Sequence, residues 1–459
     1  MGPLPRLAQG YAAAVPELSQ PWEAAPVATP TLLALDEAVA ADLGLDAGWL
    51  ASAAGLRFLT GDLGDLPDAP PTVAQAYAGH QFGGFSPLLG DGRALLLGEL
   101  TDAAGRTVDL HLKGSGRTPF ARGGDGKAAV GPMLREHLFS VFAHAVGIPT
   151  TRSLAVVATG EPVQREATLP GALLARVASS HLRVGTVQHA AASHGPEVTA
   201  RLVRYALQRH HPELLEGPEP EALALLRAVT SAQARLVAQW MGVGLVHGVM
   251  NTDNMTLSGE TIDYGPVAML EAHDPGAVFS SIDTGGRYAY GNQPAVAQWN
   301  LARLAEALLP LIDDDAERAV ERATEVVVGF AEEYRAQHAE VFSAKLGLDE
   351  VDAAKVAEYL EHLSAEGLDH TASFRGLADE AEAAGDVPRA ERLRAVNPVY
   401  VPRNHVVEEV LEAATAGDLA PFERLVGALR DPFTERPGLE DLAEPAPPGC
   451  PPHVTFCGT

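Results

Sequence analysis

The run Thr107-Val-Asp-Leu-His-Leu-Lys113 alternates without a break, setting Val108, Leu110 and Leu112 on one side and Asp109, His111 and Lys113 on the other. Strict two-residue periodicity marks a β-strand with one apolar face. Such a strand fixes Lys113 on a rigid backbone and aims it into a cleft. Glycines and short apolar runs alternate from about Tyr77 to Val184, which calls for further strands and turns with one helix among them.

Upstream, Leu89-Gly-Asp-Gly-Arg93 forms a tight turn ahead of an Ala94–Leu97 strand, and Gly90 and Gly92 would let backbone N–H groups approach a phosphate. Downstream, Ala128–Val146 reads as a helix with an apolar stripe of Leu134, Leu138 and Phe142, ended by Gly147 and Pro149. Glu136 lies off that stripe, free to meet a cation. Between strand and helix, Gly114–Gly126 is a glycine-rich loop carrying Arg117, Arg122 and Asp125, able to close over a polyphosphate. Arg176 and Arg183 follow, and a planar guanidinium grips oxyanions through two bonds.

The segment His247-Gly-Val-Met-Asn-Thr-Asp-Asn-Met-Thr-Leu-Ser-Gly-Glu-Thr-Ile-Asp-Tyr-Gly-Pro266 is oxygen-rich. Asn254 and Asp263 offer an amide oxygen and a carboxylate, hard ligands suited to Mg2+ or Mn2+. Protein kinases set a catalytic Asp five positions before a metal-binding Asn, with Asp-Phe-Gly downstream. Here Val249 occupies the place of that Asp, and Asp253, next to the Asn, is the nearest carboxylate. Asp253 reads as a general base or a water-mediated metal ligand, and His247 as a structural residue that orients its loop. Taken singly, each of these residues is ordinary. The order glycine turn, strand Lys, helix Glu, Asn, Asp-Tyr-Gly is specific, and it points to a phosphate-handling site unlike that of an ordinary kinase.

Among 459 residues, 46% are hydrophobic and 20% charged, enough for a sizeable core. A net charge of −27 excludes nucleic acid as the main partner, although a local cationic cluster still admits a nucleotide. The two cysteines, Cys450 and Cys457, form no disulfide framework, and neither a signal peptide nor a membrane-spanning run is read. A cytoplasmic location is expected. The fold expectation is α+β and protein-kinase-like, with two lobes. Residues 1–60 form an N-terminal extension packed on the core, with a short helical pattern near Leu32–Leu43. Residues 61–185 form a mixed β/α small lobe. Residues 186–443 form a helical large lobe, with amphipathic helices over Gln298–Leu311, Asp315–Gln337, Val351–Leu363 and Ser373–Val396. Residues 444–459 form an extended Pro-rich tail.

Long motifs then carry a resemblance. Tyr77-Ala-Gly-His-Gln-Phe-Gly83, Leu112-Lys-Gly-Ser-Gly-Arg-Thr-Pro-Phe120, Arg122-Gly-Gly-Asp-Gly126, the two oxygen-rich loops, Asn397–His405, Asp431–Gly438 and Thr455-Phe-Cys-Gly-Thr459 make the chain similar, nearly end to end, to the selenoprotein O (YdiU) family of pseudokinase-fold protein adenylyltransferases. The resemblance implies transfer of AMP from ATP to Ser, Thr or Tyr hydroxyls of proteins (AMPylation), with UMP from UTP as a further donor reaction. It also implies an ATP flipped relative to kinases. By position, Gly90, Gly92, Arg93, Lys113, Asp125, Gly126, Arg176, Arg183 and Asp263 would bind the nucleotide. Glu136 would orient Lys113, Asn254 and Asp263 would hold Mg2+ or Mn2+, and Asp253 would be the base. Cys457 matches the position of selenocysteine in some eukaryotic relatives. No cysteine follows Asp263 closely, so a disulfide from the tail to that segment is impossible here. The alternatives are a kinase of protein or small-molecule hydroxyls and a non-catalytic ATP-binding regulator.

Overall fold

A computed structural model describes residues 5–66, 68–447 and 449–456, so Cys457 lies outside the described residues. Among the described residues, eight strands make one antiparallel sheet. Its order runs Ser19–Pro21, Val73–Gln75, Ala94–Thr101, Thr107–Lys113, Thr168–Ala178, Arg152–Gln164 and Thr31–Leu35, and Ala128–Ala129 pairs on the side with Thr168–Ala178. The alternating strand is thus central, with Lys113 between Ala94 and Leu174.

Alternation decides what each face of that strand meets. Leu110 and Leu112 join Leu95, Leu97, Leu173 and Ala175 in a core closed by Val39, Leu50 and Phe58 of the short N-terminal helices. The opposite face packs toward the Val130–Ala145 helix, whose Leu134, Leu138 and Phe142 are fully buried. That polar face is buried too. Asp109, His111, Lys113 and Glu136 are all inside, where charge survives only with partners.

The remainder is mainly helical. Glu221–Val243, Gln293–Ile312 and Ala316–Lys345 pack on one another. Gly244, left-handed at φ 76°, ends the first of these and turns the chain into Leu245–Val246, which pairs antiparallel with Ala268–Met269. This two-strand clasp closes the loop bearing Asp253, Asn254 and Asp263. No described helix is long and apolar enough to cross a membrane.

Two expected helices are corrected. Leu32–Leu43 divides into a Thr31–Leu35 strand on the sheet edge and a Glu37–Asp42 helix. Asp36 causes the break by capping the N–H groups of Ala38 and Val39. Ser373–Val396 divides into His370–Ala383 and Val387–Val396, because Gly385 adopts φ 83° and Asp386 caps the second helix at Arg389.

Candidate active site

Lys113 ties three elements together. Its Nζ donates to Glu136 of the Val130–Ala145 helix and to Asp263 of the clasped loop. The second oxygen of Glu136 stands 4.0 Å from Arg176. Arg176, directly opposite His111 in the neighbouring strand, donates to the His111 ring at 3.3 Å. Arg183 donates to the Asp253 carbonyl at 3.2 Å and lies 4.3 Å over the Tyr77 ring. Burial alone would raise the Asp263 pKa, but Lys113, followed by Arg93 and Arg176, holds it far below the usual carboxylate range. Asp263 also has φ 68°, an uncommon value outside glycine that marks a backbone held by its surroundings.

The oxygen-bearing side is built from the loop itself. His247 is fully buried and bonds the Ile262 carbonyl at 2.9 Å, fixing the residue before Asp263. This is the orienting part expected of it. Asn254 donates its amide to the Val249 carbonyl at 3.0 Å, which leaves its amide oxygen available as a ligand. Asp253 sits on a one-turn 3-10 segment, Thr252–Asn254. Thr252 accepts from the His80 N–H at 2.7 Å, and Asn251 accepts from the Phe82 N–H at 3.0 Å and the Tyr288 hydroxyl at 2.6 Å. A Cβ on Gly79 would come within 2.5 Å of Asp253 Oδ1, so that glycine makes room for the carboxyl. Burial pushes the Asp253 pKa up to about 6 against the pull of Arg183. Its Oδ1 has no hydrogen-bond partner among the described residues.

Both sides open onto one cleft of about 780 Å3. It brings together Gly90, Gly92, Arg93, Lys113, Asp125, Gly126, Arg176, Arg183, Asp253, Asn254 and Asp263. Glu136 stands behind Lys113, outside the lining of this cleft. Asp125 is at the rim, its carboxylate gripped by Arg165 at 2.9 and 3.1 Å. Gly90 has φ 69°, and a Cβ there would strike Phe120 at 2.4 Å. Among the described residues, no three His, Cys, Asp or Glu side chains gather as a ready-made metal site. Asn254 and Asp263 nonetheless supply oxygen donors beside the unpartnered Asp253 oxygen, a set that suits an ion completing its shell with water and phosphate.

Sequence reasoning missed Asp91 and His111, both wholly buried beside the cleft. The alternation that singled out Lys113 put His111 on the same face, and that was the available signal. In the sequence Asp91 reads only as part of a glycine turn.

The family model described as protein adenylyltransferase SelO matches residues 9–387. Relatives described as protein nucleotidyltransferase YdiU share this length. That of Mycobacterium sp. (strain KMS) is 54% identical over 98% of each chain. That of Mycolicibacterium smegmatis is 55% identical over 98% of this chain and 97% of its own. That of Cereibacter sphaeroides (strain ATCC 17025) is 56% identical over 95% of this chain and 96% of its own.

Proposed function

The chain belongs to the SelO family of protein adenylyltransferases, and from that premise we propose how its cleft performs the reaction. The protein is an enzyme, a nucleotidyltransferase whose substrates are a nucleotide and a protein. The observation that carries the reading is the convergence of Lys113, pinned by Glu136 and Asp263, with the buried Asp253 carboxyl in one cleft. In our reading residues 61–185 form the lobe that grips the triphosphate and residues 186–443 the lobe that carries the base. Residues 1–60 act as a brace and residues 444–459 as a tail. The two lobes together have a kinase-like arrangement.

Lys113, Arg93, Arg176 and Arg183 hold phosphate oxygens, and Glu136 keeps Lys113 aimed at them. Gly90, Gly92 and Gly126 allow close backbone approach, with Asp125 at the rim. Asn254 and Asp263 would hold Mg2+ or Mn2+, which neutralises phosphate charge when bound. A Ser, Thr or Tyr hydroxyl of the protein substrate attacks the α-phosphorus. One O–P bond forms, the bond between the α-phosphorus and its bridging oxygen breaks, and pyrophosphate leaves. Asp253 takes the hydroxyl proton, and a base with a pKa near the working pH is well matched to that task. UTP, delivering UMP, is a second donor. The two tail cysteines and the acidic surface favour a cytoplasmic enzyme.

Incubation with ATP labelled at the α- or the γ-phosphorus tests this. Only the α-label should reach protein, and Asp253→Ala should abolish the signal. Label from the γ-position alone would establish a kinase instead.

A further inference from the structure

His111 is fully buried at the centre of the polar strand face. Arg176 Nε and Nη2 lie 3.4 and 3.3 Å from its Nδ1. An arginine has donors only, so Nδ1 must accept and the ring hydrogen must sit on Nε2. That nitrogen in turn donates to Asp91 Oδ2 at 3.1 Å. Asp91 also accepts from the Gln75 N–H at 3.0 Å, and its Oδ1 lies 3.9 Å from Arg183. His181 stacks on the His111 ring at 4.1 Å with an 18° tilt, and its own Nδ1 meets Asp109 at 3.3 Å. The ring is therefore locked on its face and on both nitrogens.

We propose that His111, backed by Asp91, is a positioning residue that aims Arg176 at the triphosphate as a neutral hydrogen-bond acceptor. The proposal rests on the reading that Arg176 binds the nucleotide. Arg176 already has the Glu136 carboxylate 4.0 Å away, so a second carboxylate in place of His111 would orient the guanidinium but over-compensate its charge. A neutral imidazole orients the guanidinium and leaves its charge for phosphate. Burial keeps the His111 ring below its usual pKa against the pull of Asp91, consistent with that neutral form.

The test is ATP affinity of the full-length protein by calorimetry, with steady-state transfer kinetics alongside. Arg176→Ala and His111→Phe should each weaken ATP binding about tenfold, the loss of one charge-assisted hydrogen bond. In the kinetics His111→Phe should raise KM for ATP about tenfold and leave kcat within about threefold. His111→Phe should add nothing in an Arg176→Ala background, because it acts through that arginine. His111→Asn keeps an acceptor near the Nδ1 position and should bind within about threefold of wild type, whereas His111→Gln should bind as weakly as His111→Phe. This last pair decides the matter if the Phe variant fails to fold. Wild-type ATP affinity in Arg176→Ala would overturn the nucleotide role of Arg176 itself. A weakened Arg176→Ala beside an unaffected His111→Phe, multiplying losses in the double variant, or equal affinity of the Asn and Gln variants would overturn the positioning role alone.

Discussion

Two lysines are buried to nearly the same degree, Lys113 at 6% and Lys345 at 5% exposed, and their surroundings differ in kind. Lys113 ends a sheet strand between the carboxylates of Glu136 and Asp263, at the edge of a large cleft. Lys345 ends the Ala316–Lys345 helix and donates to the Asn397 amide oxygen at 2.8 Å, with its Nζ 4.6 Å from the Phe374 ring. No carboxylate pairs with Lys345 among the described residues. Burial pulls its pKa down to about 7. Burial alone therefore does not mark a ligand-binding cation. Compensating carboxylates beside a cleft set Lys113 apart as the proposed phosphate-binding cation, while an amide and a ring turn Lys345 toward packing.

The largest effect should come from removing the compensated charge. Lys113→Ala is expected to lower AMP transfer about 10²–10³-fold, the range for deleting one electrostatic stabiliser, measured as α-label incorporation at saturating ATP. Equal activity would erase the distinction between the two lysines. Next, Glu136→Gln removes one of the two carboxylates that hold Lys113 and so loosens it. Transfer should fall about tenfold, mostly through a higher KM for ATP, the usual cost of losing a supporting residue. A change in kcat alone would assign Glu136 a different task.

Lys345→Met should leave transfer within about twofold of wild type and change stability instead. The folded state releases the Lys345 proton near pH 7 and the unfolded chain near 10.5, so the cost of the buried charge is full below pH 7 and fades as pH climbs to 10.5. That cost is on the order of 5 kcal/mol, from which about 1–3 is lost to the Asn397 oxygen left without a donor. Denaturant titrations should find Lys345→Met more stable than wild type at pH 6, with the gap narrowing toward pH 10. A gap that widens with pH would contradict the assignment. The smallest effect sharpens the contrast. Asn397→Asp gives Lys345 the carboxylate that Lys113 has, so the dependence of stability on pH above 7 should flatten. An unchanged slope would mean that proximity of a carboxylate is not what separates the two sites.

The sequence made one of these lysines visible and hid the other. Lys113 stands out because period-two alternation is local, and Glu136 because it falls off an apolar stripe. Lys345 lies beyond the helix expected over Asp315–Gln337, and its burial depends on Phe374 of the His370–Ala383 helix and on Asn397, just past the Val387–Val396 helix. His111 and Asp91 escaped for the same reason, since a histidine in a strand and an aspartate in a glycine turn acquire meaning only when register sets them against Arg176 and Arg183. The apolar run of the Thr31–Leu35 strand is too short for periodicity to tell strand from helix, and pairing with Arg152–Gln164 decides it. Residue chemistry singles out the loop positions Asp253, Asn254 and Asp263, which the cleft gathers. The orphaned Asp253 oxygen and the room left by Gly79 were not, because both depend on a hairpin far away in sequence.

Equilibrium titration with ATP of the wild type, Lys113→Ala and Lys345→Met tests the central assignment most directly. One nucleotide per chain should bind, with affinity reduced at least about tenfold in Lys113→Ala and unchanged in Lys345→Met. Undiminished binding by Lys113→Ala would show that Lys113 does not grip the nucleotide.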